Sequence, residues 1–230
     1  MTNTTRHFAH RVELNGGIML PFFFIIGTFL GTPLAPTEVR TQLETLANAR
    51  IVWSTTSGQA RVITRIKLPT QGKTNRERGR YFLDRFSLLT GGPGLRFESE
   101  VTTKGRTVLR YRQWHDNTIV LDRSATVTVD GDGHIIAFNT DCVPITGAAR
   151  AVIDERQARA AVSSALEARF GSKPVGMKAI EAVFGLTTTG AFATPIYEFN
   201  VAPLPMVSHV KVRIDASTGA LLSIRNALLH

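Results

Sequence analysis

Hydrophobic residues along this chain change their spacing repeatedly, and each change marks a boundary between elements. Ala125, Val127 and Val129 alternate with Ser124, Thr126 and Thr128, the period-two pattern of a strand with one buried face. Asp130-Gly131-Asp132-Gly133 supplies a tight connection, after which Ile136 and Phe138 resume the apolar face. An earlier turn falls at Asp116-Asn117, since Asn tolerates the left-handed conformation; Gln113 before it reads as exposed. Upstream, residues 36–49 predict a helix capped by Thr37, with Val39, Leu43 and Leu46 on one face. "IVWS" and "ARVITRIKL" around Gly58 predict a hairpin, and residues 76–89 a second helix stopped by "GGPG" at 91–94.

Periodicity lapses over 141–150 and returns in a helix. Asp154 is its cap, with Gln157 in capping-box position. Ala158, Ala161, Val162, Ala165, Leu166 and Phe170 form its apolar stripe, and Gly171 ends it. Strands follow at "AIEAVFGL", "TPIYEFNVA" and "VSHVKVRI", then the turn "DASTG" and a final "ALLSI". The expected class is α+β, with two consecutive domains at 36–145 and 150–226, each an antiparallel sheet with a helix packed on it.

Charge adds one feature. The net charge is +9, and residues 61–112 hold 13 Lys/Arg against 4 Asp/Glu, so this stretch carries the surplus. No recognition helix, zinc finger or aromatic platform accompanies it, so nucleic acid is not the expected partner. A solvated basic face is the first reading and an acidic protein partner the second. The single cysteine, Cys142, excludes an internal disulfide and a Cys-cluster metal site.

At the N-terminus, Arg6 and Arg11 precede the apolar run 18–30. Residues 1–35 read as an export signal, with an uncleaved membrane anchor or a buried strand as alternatives. Cutting after Ala35 would leave Pro33 and Pro36 at unfavourable positions.

Catalytic patterns do not assemble. No HExxH occurs, and the histidines at 7, 10, 115, 134, 209 and 230 are never four apart on a helix. His134 and His209 fall in strand patterns, and His115 in a turn. Asp130 and Asp132 lack the glutamate that closes a calcium loop. Ser163-Ser164 has no nucleophile elbow, Glu155, Glu167, Glu181 and Glu198 are scattered, and Cys142 has no placed base. No catalytic residue, metal ligand or cofactor is expected.

The ordered series "TTSGQARVI", "RYFLDRF", "VLRYRQ", "HDNTIV", "SATVTV" and "VDGDGHIIAF" resembles the fungalysin/thermolysin propeptide domain. Arg110, Tyr111, Gln113 and Val120 fall on its motif positions. "IDERQARAAVSSAL", "PIYEFNV" and "VRIDASTGALLSI" resemble a PepSY domain, with Asp215 and Gly219 in its turn. Asn117 stands where the family has glycine and Ile119 where it has proline; both suit a turn. The resemblance implies the pro-region of a thermolysin-like metallopeptidase: an exported inhibitor and folding helper, acting in cis or in trans. Alternatives are an envelope-associated regulatory module, with membrane association through residues 18–35, and a truncated peptidase precursor. In the family the segment after the last strand approaches the active-site cleft, which makes Leu228, Leu229 and His230 the candidate partner contacts.

Overall fold

Strand β5 (Thr118–Val129) organises the fold, because it hydrogen-bonds to two groups of strands at different points along its twelve residues. The computed structural model describes residues 36–45, 48–55, 57–87, 94–171, 182–201 and 209–226. Residues 18–35 and 228–230 lie outside them, so the membrane segment and the three tail contacts have no structural description.

The first group is antiparallel. Its strands are β1 (Arg50–Trp53), β2 (Ala60–Leu68), β3 (Leu95–Thr103), β4 (Arg106–His115) and β6 (Ile135–Thr140), in spatial order β1-β2-β6-β5-β4-β3. Helix α2 (Asn75–Arg85) covers one face. Its Phe82 and Leu83, with Phe86 just beyond, pack against Ile63, Leu109, Val127 and Phe138. Burying each such side chain contributes roughly 1.5–3 kcal/mol. Helix α1 (Pro36–Glu44) places Leu43 in the same core; it already includes Thr37, so that residue is not its cap.

The second group is a meander of β8 (Ala182–Thr189), β9 (Phe192–Val201), β10 (Val210–Asp215) and β11 (Leu221–Asn226). Helix α3 (Glu155–Phe170) lies on it, with the Asp154–Gln157 capping box formed and Gly171 left-handed at φ 74°. Ala158, Val162 and Leu166 meet Phe199, Val201, Val212 and Ile214 in a separate core. A two-residue strand, β7 (Gly147–Ala148), bridges to β9.

β8 joins β5 in parallel at Val120 and Leu186. Gly185 permits this approach: a Cβ there would sit 2.7 Å from Leu121 Cγ and 3.0 Å from the Ile119 carbonyl. Among the described residues the fold is therefore mixed α+β with one branched eleven-stranded sheet, and those from Pro36 to Asn226 fall within a single compact unit.

Local turns follow their residues. Asp116 and Asn117 both have positive φ, 45° and 61°, as a two-residue hairpin loop requires. Asn117 thus supplies the conformation that glycine would. Its Oδ1 also accepts from Arg96 at 2.6 Å.

Candidate functional site

The motif residues build framework. Gln113, expected at the surface, is 3% exposed. Its Nε2 donates to the Val143 carbonyl at 2.6 Å, and the Val143 amide donates to its Oε1 at 3.3 Å. The side chain thereby imitates a strand neighbour for the connector leaving β6. Tyr111 is buried in the first core, and its hydroxyl has no hydrogen-bond partner among the described residues. Burial pushes that phenol up to about 12, against the opposing pull of Arg80 and Arg76. Gly79 of α2 lies against this ring, since a Cβ would meet the hydroxyl at 2.5 Å.

Val120 is buried with Leu186 and Ala193 at the junction of the two strand groups. Arg110 faces solvent. Asp215 Oδ1 accepts from the Ser217 amide at 2.7 Å and its hydroxyl at 2.5 Å. Burial raises this carboxyl, but bonds from Ser217 and Thr218 outweigh it and hold it below its ordinary value. Gly219 completes the turn at φ 78°.

Beside this framework gather Asp122, Thr187, Glu198 and Arg213, of which the sequence pattern singles out only Glu198, as one of four scattered glutamates. Arg213 on β10 donates through Nη1 and Nη2 to both oxygens of Asp122 at 2.5 and 2.7 Å. Its Nε and Nη2 also reach Glu198 Oε2 at 2.7 and 2.5 Å. Thr187 donates to Asp122 at 3.2 Å, so β5, β8, β9 and β10 meet at one guanidinium. Burial raises the Asp122 carboxyl, yet the bonds and charge of Arg213 prevail and hold it below its ordinary value. Hydrogen bonding to Asp122 in turn raises Arg213, partly offset by burial. Both partners stay charged, and neither is set up as a general acid or base.

This cluster floors a groove of about 440 Å³ on the face of the meander opposite α3. Four cationic side chains (Arg112, Lys211, Arg213, Arg225) and two anionic ones (Asp122, Glu198) line it, together with Ser124 and Ser223. Arg112 is held by the Leu121 carbonyl at 3.1 Å and Glu98 at 2.5 Å. The spacing of Asp122 from Arg213, 91 residues, carries no sequence signal.

A second cluster is Asp130, Asp132 and His134, whose ligand atoms lie within 4.8 Å of one another. Asp130 Oδ1 already accepts from the amides of Asp132 and His134 at 3.0 and 2.8 Å. Lys67 sits 3.6 Å from Asp132, and the Arg78 guanidinium covers Gly133. Two cations where a metal would need negative charge make this an ordinary capped turn. His134 and His209 stand just before β6 and β10 rather than inside them, and His115 ends β4. The Cys142 thiol is buried, donates to the Ser124 carbonyl at 3.3 Å, and is pushed up to about 11 by burial.

No family model and no curated protein matches this chain. Among solved structures, it is similar to the Bacillus megaterium YpeB C-terminal domain at 14% identity and a TM-score of 0.35, covering 85% of this chain and 98% of that one.

Proposed function

We propose that the chain is a non-catalytic docking module: a fungalysin/thermolysin-propeptide-like layer followed by a PepSY-like layer that binds a thermolysin-like metallopeptidase and slows it. The observation that carries the reading is the Arg213 cluster. Its two carboxylates, the acidic side chains lining a groove large enough for a ligand, are both locked in hydrogen-bonded ion pairs. Such a groove holds rather than transforms what enters it. Gln113 and Tyr111 are buried on β4, whose Arg112 lines the groove, and a face backed by a packed core lowers the ordering cost of docking. The metallopeptidase itself comes from the family resemblance in the sequence.

The test is a titration of purified protein against a thermolysin-like peptidase, reading peptide hydrolysis beside a sizing column. Inhibition with a co-eluting complex is expected. Unchanged activity with no complex at micromolar protein rejects the metallopeptidase partner. A complex without inhibition instead favours the regulatory module.

A further inference from the structure

We infer that the groove is a carboxylate-binding site, and that its ligand is an extended acidic peptide segment anchored by Lys211 and Arg225. It builds on the docking reading but does not depend on which protein docks.

Lys211 on β10 stands directly opposite Arg225 on β11, on the face that also carries Arg213 and Glu198. Like charges directly opposite one another on neighbouring strands repel, by up to about 1 kcal/mol. Arg213 resolves its own charge with two carboxylates, but these two do so poorly. Lys211 has one long contact, 3.5 Å to Glu198. Glu198 is already engaged by Arg213. Arg225 has no acidic side chain within ion-pair distance among the described residues, although it feels the charge of Asp122.

An arriving carboxylate would turn this repulsion into two attractions. Cross-strand neighbours lie about 5 Å apart, so one carboxylate can take a fork of two bonds from Arg225 and a third from Lys211. Ser223, opposite Arg213 in the next register position, adds a hydroxyl to the same wall. The sign of the lining is cationic, as is the chain at +9, which favours an acidic partner over a second copy of itself. The groove volume of about 440 Å³ also exceeds what a lone ion needs, and it continues toward Arg112 and Ser124 on β4 and β5. That extension fits the residues flanking the anchoring carboxylate.

The experiment uses the whole protein and a fluorescein-labelled octapeptide with two central glutamates, read by anisotropy at about 0.1 M salt. A glutamine counterpart and a single-stranded oligonucleotide are run beside it. The glutamate peptide should bind at least about tenfold more tightly than the glutamine one, and Lys211→Glu with Arg225→Glu should remove that preference. Lys104→Glu, in the β3–β4 turn, makes a single charge reversal elsewhere and should alter affinity by less than about twofold. The milder Arg225→Gln tests the same contact should the reversals disturb folding, which circular dichroism reports. Equal binding of the two peptides overturns the inference. So does equal sensitivity to Lys104→Glu, absence of binding at millimolar peptide, or tighter binding of the oligonucleotide with no effect of the groove variants. Peptide binding that survives a failed peptidase titration rejects the metallopeptidase and keeps the groove.

Discussion

Replacing Gln113 with leucine should cost more than any surface change, because it leaves both backbone polar groups of buried Val143 without partners. Leucine keeps most of the volume but neither accepts from the Val143 amide nor donates to its carbonyl. Val143 is itself 8% exposed, so water replaces those bonds poorly. Each orphaned group costs about 1–3 kcal/mol. After the gain from burying an apolar side chain, the net loss should be about 2–4 kcal/mol, a large part of a typical stability of about 5–15 kcal/mol. Urea unfolding followed by tryptophan fluorescence suits the measurement, since Trp114 is the next residue. With a slope of about 2–3 kcal/mol/M, the midpoint should fall by about 1 M. Gln113→Glu sharpens the test. Burial and the facing carbonyl oxygen should raise that carboxyl above its unfolded value of about 4.3. A raised folded value means stability that is complete below about pH 4 and lost as pH climbs through the folded value. The variant should therefore approach wild type near pH 4 and fall behind toward pH 7. A leucine variant within about 0.3 M of wild type, or a glutamate variant whose deficit ignores pH, would refute the clamp.

Arg213→Gln should lose about 1–2 kcal/mol at pH 7, a figure trimmed for screening because the Asp122 side chain is 41% exposed. Asp122 is held below its ordinary value, so its share is present at neutral pH and fades in acid, and the gap from wild type should close below about pH 4 in urea titrations at several pH values. Tyr111→Phe should be neutral or stabilising by up to about 1 kcal/mol, because it removes an unpaired buried hydroxyl. Gly79→Ala should destabilise by about 1–3 kcal/mol through contact with Leu109 and Tyr111, with part of that cost relieved in the Gly79→Ala/Tyr111→Phe double variant by thermal melts. Cys142 should resist a thiol reagent at pH 8 in the native protein and react as urea exposes it; rapid native labelling would contradict its burial and raised thiol.

Where structure depends on neighbours in sequence, the chain announced it. Asp154, Gln157 and Gly171 set both ends of α3, and the alternation in Val210, Val212 and Ile214 set the buried face of β10. The start of α2 is equally local: Thr74 and Glu77 form a capping box there, one residue ahead of the helix expected over 76–89. Bulges were less visible. Val129 pairs with Ile135 and Thr128 with Ala137, so Ile135 takes the core position expected for Ile136. Gln113 looked exposed because its partner is a backbone peptide 30 residues on, which no local pattern encodes. The groove was beyond reach for the same reason. Of its cations only Arg112 falls in the basic stretch 61–112, and Lys211, Arg213 and Arg225 join it only when the folded sheet brings β10 and β11 to the same groove as β5.

The double membership of β5 also shapes how the chain matures on the ribosome. Its far end finds β4 and β6 within a short stretch of synthesis, whereas the contact from Arg123 to Thr188 waits for 65 more residues. At about 5–20 residues per second, the delay is roughly 3–13 s. During that interval the β8-facing edge at Val120 stands unpaired, although Ile119 already meets Trp114 on the β4 side, and that edge is open to capture by a holdase or by another nascent chain. Arrival of β8 closes that window, and Arg213 seals it when β10 follows.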